Sequence, residues 1–144
     1  MTVTTLVEAA VTAIRAHGVA AYPQECCGAL IGSEEAAVHA VREAWPLDNV
    51  AAAARERRFT ISPEDYRRAE ARAAERGSAL LGFYHSHPDA PARPSGEDLA
   101  QAWPNLDYII ISVQRGRPAD ITCWRLRDDR SGFDREDMTW PIGS

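Results

Sequence analysis

Two histidines separated by one residue, His85 and His87, follow an apolar run that is typical of a buried strand. Side chains at positions i and i+2 of a strand point to the same face, so both imidazoles can bind one metal ion. Asp98 lies 11 positions beyond His87, in the first turn of a predicted helix, where its carboxylate could fold back as a third ligand. Two imidazoles and one carboxylate with an open fourth position are typical of a catalytic zinc site. The pattern therefore predicts one Zn²⁺ ion with water as its fourth ligand.

The alternative for a histidine pair alone is an incidental exposed turn. Spacing argues against it, because the pattern H-x-H-x7-S-x-x-D is expected by chance in only about 4 of 10,000 sequences of this composition. The other two histidines, His17 and His39, have no nearby partner in the sequence and predict no site.

The stretch His85-Ser86-His87-Pro88, followed by Ser95 and Asp98, resembles the signature of the JAMM (MPN+) zinc metalloproteases. Upstream, PQECCGALIG at 23–32 resembles that family's P-x-E-x-C-G-x-L-x-G segment. The resemblance covers residues 4–126 and is to the small prokaryotic members. It implies that His85, His87 and Asp98 bind zinc, that Glu25 is the general base and acid, and that Ser95 donates a hydrogen bond to the developing oxyanion.

Three of these features have a simpler interpretation. Ser95 is also an apt helix N-cap, and both roles can hold at once. Nothing local distinguishes Glu25 from a solvated surface acid such as Glu34. The adjacent Cys26 and Cys27 could include a nucleophile, but cysteines that lead into a buried strand are more often small core residues.

The resemblance implies a substrate class: the C-terminal tails of ubiquitin-like or sulfur-carrier proteins, or isopeptide-type bonds to them. It also implies an E1-like activating enzyme as a partner in the same pathway. Two other hypotheses remain open. One is a non-catalytic MPN-type scaffold that holds a partner through its sheet edge, and the other is a metal-dependent hydrolase of small molecules or phosphoesters, although two-metal sites need more ligands than this region offers.

The elements that must position these residues are predicted from apolar periodicity and from capping and turn signals. The segment at 47–58 has no apolar pattern and predicts a mobile loop or a short exposed helix that frames a groove beside the metal. Helices are predicted at 4–17 with Gly18 as the stop, at 63–76 with Ser62 as N-cap, and from Ser95 onward. Strands are predicted at 27–32, 37–45, 79–84, 106–113 and 119–126, the first two joined as a hairpin at 33–35.

These elements indicate an α/β fold, with a central mixed β-sheet flanked by helices. By resemblance the fold is JAMM/MPN-like, with a cytidine-deaminase-like layering. We assign residues 1–127 to one metalloprotease domain and 128–144 to a C-terminal tail.

Composition excludes several classes of function. The 144 residues carry a net charge of -5, which disfavours a nucleic-acid partner. All 16 basic residues are arginine, so chemistry that needs a lysine amine is excluded. The N-terminal segment does not fit a signal peptide and no apolar run is long enough to cross a membrane, so we expect a cytoplasmic protein without a membrane partner. Three unevenly spaced cysteines indicate free thiols rather than a disulfide framework.

Overall fold

The computed structural model describes residues 2–140. Met1 and residues 141–144, the end of the assigned tail, lie outside the described residues. The elements in chain order are β1 (Val3–Leu6), α1 (Glu8–Ala21), β2 (Cys27–Glu35), β3 (Val38–Leu47), α2 (Pro63–Glu75), β4 (Ala79–Pro88), α3 (Gly96–Gln101), β5 (Asp107–Gln114), β6 (Arg117–Leu126) and β7 (Phe133–Thr139).

The strands form a mixed sheet in the order β1-β3-β2-β4-β5-β6-β7, and the sheet closes into a barrel. β1 pairs parallel with both β3 and β7, and β4 pairs parallel with β5, while the other pairs are antiparallel. The mixed sheet of an α/β domain confirms the sequence prediction in part, because helices do pack on the sheet, but its closure into a barrel was not predicted. Closure depends on β7, which lies in the segment assigned as a tail. Its sequence FDREDMT is charged and mostly exposed, so it lacks the apolar alternation that identifies a strand.

Two apolar clusters occupy the two faces of the sheet, as the period-2 alternation of strand side chains requires. The adjacent Phe83 and Tyr84 of β4 belong to different clusters. Helix α1 packs Ile14 into the first cluster, and α2 packs Ala69 into the second. Both faces of β4 are therefore covered, which holds the strand rigidly.

The first predicted helix is partly wrong. Residues Val3–Leu6 form β1, and α1 begins only at Glu8 and continues through Gly18. The β-branched residues at 2–5 favour a strand. Gly18 is buried, and a Cβ there would lie 3.0 Å from the Val113 side chain, so this glycine permits close packing of the helix on β5 instead of ending the helix.

The predicted start of α2 is confirmed. The Ser62 hydroxyl accepts a hydrogen bond from the Asp65 amide at 3.0 Å, and Pro63 occupies the first helical position. The β2–β3 hairpin is also present, but it turns at Ala36, which has a φ of 53°, and not at 33–35.

Strand β4 carries the histidine pair to its end at Pro88, where regular pairing was expected to stop. Among residues 2–140, all three cysteines are buried and free, as expected. None of the helices in this range combines the length and hydrophobicity needed to span a membrane.

Candidate metal centre

The two histidines face one another at the end of β4. The Nε2 atoms of His85 and His87 lie 3.1 Å apart, and both side chains are buried. Ser86 points to the opposite face, where its hydroxyl accepts a hydrogen bond from the Cys26 amide at 2.8 Å. The strand alternation predicted from the sequence therefore places both imidazoles on one side.

Asp98 reaches the histidines because α3 begins with a capping box. The Ser95 hydroxyl accepts from the Asp98 amide at 3.1 Å, and Asp98 Oδ2 accepts from the Ser95 amide at 2.9 Å. The same Oδ2 lies 3.1 Å from Nε2 of His85 and 3.1 Å from Nε2 of His87. Three ligand atoms thus form a triangle with equal edges.

This triangle, defined by His85 Nε2, His87 Nε2 and Asp98 Oδ2, fits a zinc ion. Tetrahedral zinc with bonds of about 2.0–2.1 Å separates its ligand atoms by about 3.3 Å. The observed edges are all 3.1 Å. The donor set, two imidazole nitrogens and one carboxylate oxygen, is also one that zinc prefers, and it leaves the fourth position without a protein ligand.

The three groups of the triangle shift one another's pKa. Burial opposes ionisation of Asp98, but its contacts with both imidazoles and the hydrogen bond from the Ser95 amide hold the pKa of this carboxyl well below its usual range. Burial lowers the pKa of His85, against the opposing effect of Asp98, which favours the neutral imidazole that a metal requires. Burial also lowers the pKa of His87, but hydrogen bonds to Asp98 and to the Pro91 carbonyl raise it above its usual value. The triangle therefore combines an anionic carboxylate with two imidazoles whose pKa values are shifted in opposite directions.

The surroundings orient the two rings. His87 Nδ1 donates to the Pro91 carbonyl at 2.8 Å, which leaves the Nε2 lone pair directed at the triangle. Phe59 stacks on His85 with ring centroids 4.4 Å apart and an interplanar angle of 25°. His85 Nδ1 is buried and has no hydrogen-bond partner among the described residues.

Glu25 lies beside the triangle. Its carboxylate is one of four buried groups, with His85, His87 and Asp98, whose ligand atoms all lie within 4.8 Å of one another. Glu25 Oε1 has no hydrogen-bond partner in the described chain, and burial, with a smaller contribution from Asp98, raises the pKa of Glu25 to about 8 despite the opposing effect of His87. A buried carboxyl with a free oxygen and a high pKa has the properties of a group that accepts and returns a proton.

The loop that follows β3 holds the backbone of Glu25 in place. The Glu25 amide donates to the Arg55 carbonyl at 2.7 Å, and Asn49 Nδ2 donates to the Glu25 carbonyl at 3.1 Å. Asn49 also donates to the Arg58 carbonyl and accepts from the Thr60 amide, so one amide side chain fastens both ends of the loop. The segment at 47–58 was predicted as a mobile loop or a short exposed helix. It is a loop, and the hydrogen bonds that Asn49 makes across it were not predicted.

Two cavities of very different size adjoin the site. An aromatic cavity of about 20 Å³ touches His85 and Asp98 and is lined by Phe59, Phe83 and Trp103 among others. That volume holds about one water molecule. A mixed groove of about 460 Å³ is lined by Glu25. Of these two spaces, the groove that Glu25 lines is the larger.

All five residues singled out from the sequence meet in this one region, with Ser95 joined to Asp98 through the capping box. Sequence reasoning missed a second buried group at the other end of β4 and β5. His39 was expected to be isolated, but its Nδ1 lies 2.7 Å from Asp107 Oδ2. The alternation of β3 could have predicted that His39 is buried, because it shares a strand face with the apolar Val41, which is buried.

The second buried group contains three further side chains that can bind metals. The ligand atoms of Asp107, Cys123 and Glu136 lie within 4.8 Å of one another. Arg125 lies 3.3 Å from Asp107 and 3.7 Å from Glu136, and the Thr4 hydroxyl lies within hydrogen-bond distance of both carboxylates, at 3.2 and 3.3 Å. These contacts identify a charge-compensated structural network that connects β1, β5, β6 and β7.

Comparison with protein families matches residues 7–127 to the profile described as prokaryotic homologs of the JAB domain. Among curated proteins, tail tip assembly protein K of Escherichia phage N15 is 39% identical over 135 residues, covering 81% of this chain and 51% of that protein. The desampylase of Haloferax volcanii is 37% identical over 91 residues, covering 62% of this chain and 63% of that protein. A probable TtuB-protein conjugate cleaving protease of Thermus thermophilus is 32% identical over 99 residues, covering 69% and 63%. The chain thus spans less than two thirds of the length of each of these relatives.

Solved structures agree with this match. A solution structure of a Desulfitobacterium hafniense protein superposes with a TM-score of 0.84 at 31% identity, covering 96% of this chain and 92% of that chain. The crystal structure of a JAB1/MPN domain protein from Archaeoglobus fulgidus superposes with a TM-score of 0.60 at 18% identity, covering 96% and 100%. The second comparison concerns the fold alone.

Proposed function

Because the chain belongs to the prokaryotic homologues of the JAB domain, we propose that it is a zinc-dependent metallopeptidase. It hydrolyses an amide bond at the C-terminal tail of a ubiquitin-like or sulfur-carrier protein. The observation that carries the proposal is the triangle of ligand atoms with 3.1 Å edges, beside the buried carboxyl of Glu25. Support for the substrate class comes from the two relatives named for cleaving conjugates, desampylase and the TtuB-conjugate protease.

In this proposal, His85, His87 and Asp98 hold one zinc ion. When bound, zinc supplies Lewis acidity that lowers the pKa of water to about 7 and polarises a carbonyl. Glu25 takes a proton from the attacking water and later delivers it to the leaving amine. The water oxygen bonds to the carbonyl carbon, the C–N bond breaks, and the products are a carboxylic acid and an amine.

Ser95 has a second role in the proposal. Its capping bond uses the hydroxyl oxygen as an acceptor from the Asp98 amide, which leaves the hydroxyl proton free to be donated. That proton stabilises the oxyanion that develops on the substrate carbonyl. Donors of this kind contribute about 2.7–4 kcal/mol to transition-state stabilisation.

We propose residues 1–127 as the catalytic domain, supported by the family match at 7–127, with 128–144 as a C-terminal segment that packs on it. Strand β7 of that segment closes the barrel. An E1-like activating enzyme, which prepares carrier proteins for conjugation, belongs to the same proposed pathway.

Elemental analysis and a cleavage assay test the proposal together. We expect one equivalent of zinc and hydrolysis of a carrier protein extended past its terminal Gly-Gly. Glu25→Gln should keep the metal and lower kcat by about 10²- to 10⁴-fold, because it removes the proton acceptor without changing the side-chain shape. Glu35→Gln is the matched control, since Glu35 is exposed and distant along β2.

Each alternative has its own result. One equivalent of zinc without cleavage of any tail would support the non-catalytic scaffold. Hydrolysis of small esters without hydrolysis of tails would support the small-molecule hydrolase. Normal turnover by Glu25→Gln would show that Glu25 is not the base.

A further inference from the structure

The groove beside Glu25 has the size of a binding site for a short peptide segment. Its volume is about 460 Å³, within the range of about 300–1,000 Å³ that small-ligand sites occupy. The groove is lined by Glu25 with its chain neighbours Gln24 and Cys26, and by the C-terminal part of α1. The lining side chains that can recognise a polar group are His17, Gln24, Glu25, Asp48, Asn49 and Arg55.

Among the described residues, Arg55 is the arginine that lines this groove, and its backbone lies next to that of Glu25. The Glu25 amide donates to the Arg55 carbonyl at 2.7 Å, so the two residues are direct backbone neighbours although they are far apart in sequence. The side chain is held in turn, because Arg55 Nε donates to the Ala51 carbonyl at 2.7 Å. This bond orients the plane of the guanidinium.

The two terminal nitrogens of Arg55 remain available. Within residues 2–140, no carboxylate lies within ion-pair distance of this side chain, whereas Arg58 pairs with Glu97 at 3.0 Å and Arg72 pairs with Glu43. An oriented guanidinium with free terminal N–H groups is suited to bind a carboxylate through two parallel hydrogen bonds.

The acidic neighbour in the groove does not neutralise Arg55. The charge of Asp48 acts instead on His17, where it opposes the lowering of the imidazole pKa by burial. In the described chain neither Asp48 nor Glu25 makes an ion pair with Arg55, so the guanidinium is not neutralised although two acidic side chains line the same groove.

We propose that Arg55 binds the free α-carboxylate of a short extension on the leaving side of the scissile amide. This inference rests on the proposed function, in which Glu25 delivers a proton to the leaving amine. Arg55 is bonded to the Glu25 backbone and lines the same groove, and we assign this groove to the leaving side because Glu25 delivers its proton there. The carboxylate closest to that amine in a protein tail is the chain terminus. An extension of one or two residues spans about 3.5–7 Å, a distance that an arginine side chain can bridge.

The enzyme therefore trims short C-terminal extensions faster than it cleaves isopeptide conjugates. In a conjugate the leaving amine belongs to a lysine side chain within a folded protein, and no α-carboxylate follows it. Arg55 is in this view the residue that determines which of the two kinds of tail is processed.

A carrier protein with one alanine after its terminal Gly-Gly tests this preference, prepared as the free acid and as the C-terminal amide. Wild-type enzyme should show a kcat/KM about 10- to 100-fold higher for the acid than for the amide, as expected for a charge-assisted pair of hydrogen bonds. Arg55→Gln should bring this ratio close to one, and Arg55→Lys should give an intermediate ratio. Arg57→Gln is the matched control, because Arg57 is exposed and does not line the groove.

A binding experiment separates this inference from the proposed function. The NMR signal of Arg55 Nε–H should shift when acetyl-alanine is added and should not shift with acetyl-alanine amide, whether or not the enzyme turns over. An unchanged acid-to-amide ratio in Arg55→Gln would overturn the inference and leave the peptidase proposal intact. Faster cleavage of a lysine isopeptide conjugate than of the free acid would also overturn it. Absence of all cleavage with a specific Arg55 shift would refute the peptidase proposal and support the carboxylate site.

Discussion

Zinc should stabilise the folded protein through the triangle of His85, His87 and Asp98, and the size of the effect follows from linkage. At a free zinc concentration of about 100 times Kd, binding to the native state stabilises it by about 2.7 kcal/mol. A chain of 144 residues has an unfolding entropy of about 0.3 kcal/mol/K. We therefore expect zinc to raise Tm by about 9 °C, and a chelator to reverse the rise.

Substitution of one ligand should remove most of that rise. If His87→Ala weakens zinc binding by about 100-fold, the stabilisation at the same zinc concentration falls to about 0.4 kcal/mol, or about 1 °C. The matched control is His17→Ala, which removes an imidazole that bonds Tyr84 and lies outside the triangle. This variant should retain the full zinc-dependent rise even if its own Tm is lower.

Differential scanning fluorimetry with and without zinc measures these shifts, and the zinc-dependent difference is compared within each variant. The second buried group offers a direct competitor, because Cys123 belongs to a cluster that could also hold a metal. If Cys123→Ser loses the zinc effect while His87→Ala keeps it, the ion binds at the second group and the assignment of the triangle is refuted.

Two further predictions concern the frame around the site. Burial, together with the nearby Asp107 carboxylate, raises the pKa of Glu136 from 4.5 to about 7. The stability that the protonated Glu136 carboxyl contributes is therefore fully present below about pH 4.5 and is lost as the pH rises through about 7. Glu136→Gln should flatten the fall in stability over that range by about 1–2 kcal/mol in urea titrations, and an unchanged pH profile would refute the carboxyl contact as its cause. Asn49→Ala should lower the free energy of unfolding by about 2 kcal/mol. It should also speed hydrogen exchange at the amides of Ala51 and Thr60, which donate to Asn49 Oδ1. Unchanged exchange at both amides would show that Asn49 does not hold the loop.

The close approach of the three candidate ligands was predictable because it depends on local rules. Two histidines at i and i+2 of β4 share a face whatever the rest of the fold does. Ser95 and Asp98 define a capping box whose geometry is set within one turn of helix, and that turn directs the carboxylate. The start of α2 at Ser62 was predictable for the same reason.

Features that depend on distant parts of the chain were not predictable in this way. β7 pairs with β1 from the other end of the described chain, and its charged sequence carries no strong local strand pattern. Gly18 has the composition of a helix stop, but its role follows from its contact with Val113 across the fold. The position of Glu25 beside the triangle depends on Asn49 and Arg55, and no local signal predicts either bond.

The parallel pairing of β1 with both β3 and β7 has a consequence for how the chain folds during synthesis. β1 leaves the ribosome before β7, with five other strands between them, so the barrel cannot close until β7 has been made. Until β7 is in place, β1 and β6 expose the unpaired backbone groups that β7 would bond, and other chains could bind them. Contacts between such distant segments also slow folding, because the loop entropy must be lost before the pairing can form. We therefore expect closure of the barrel to be the late step in folding and the stage at which newly made chains are most prone to aggregate.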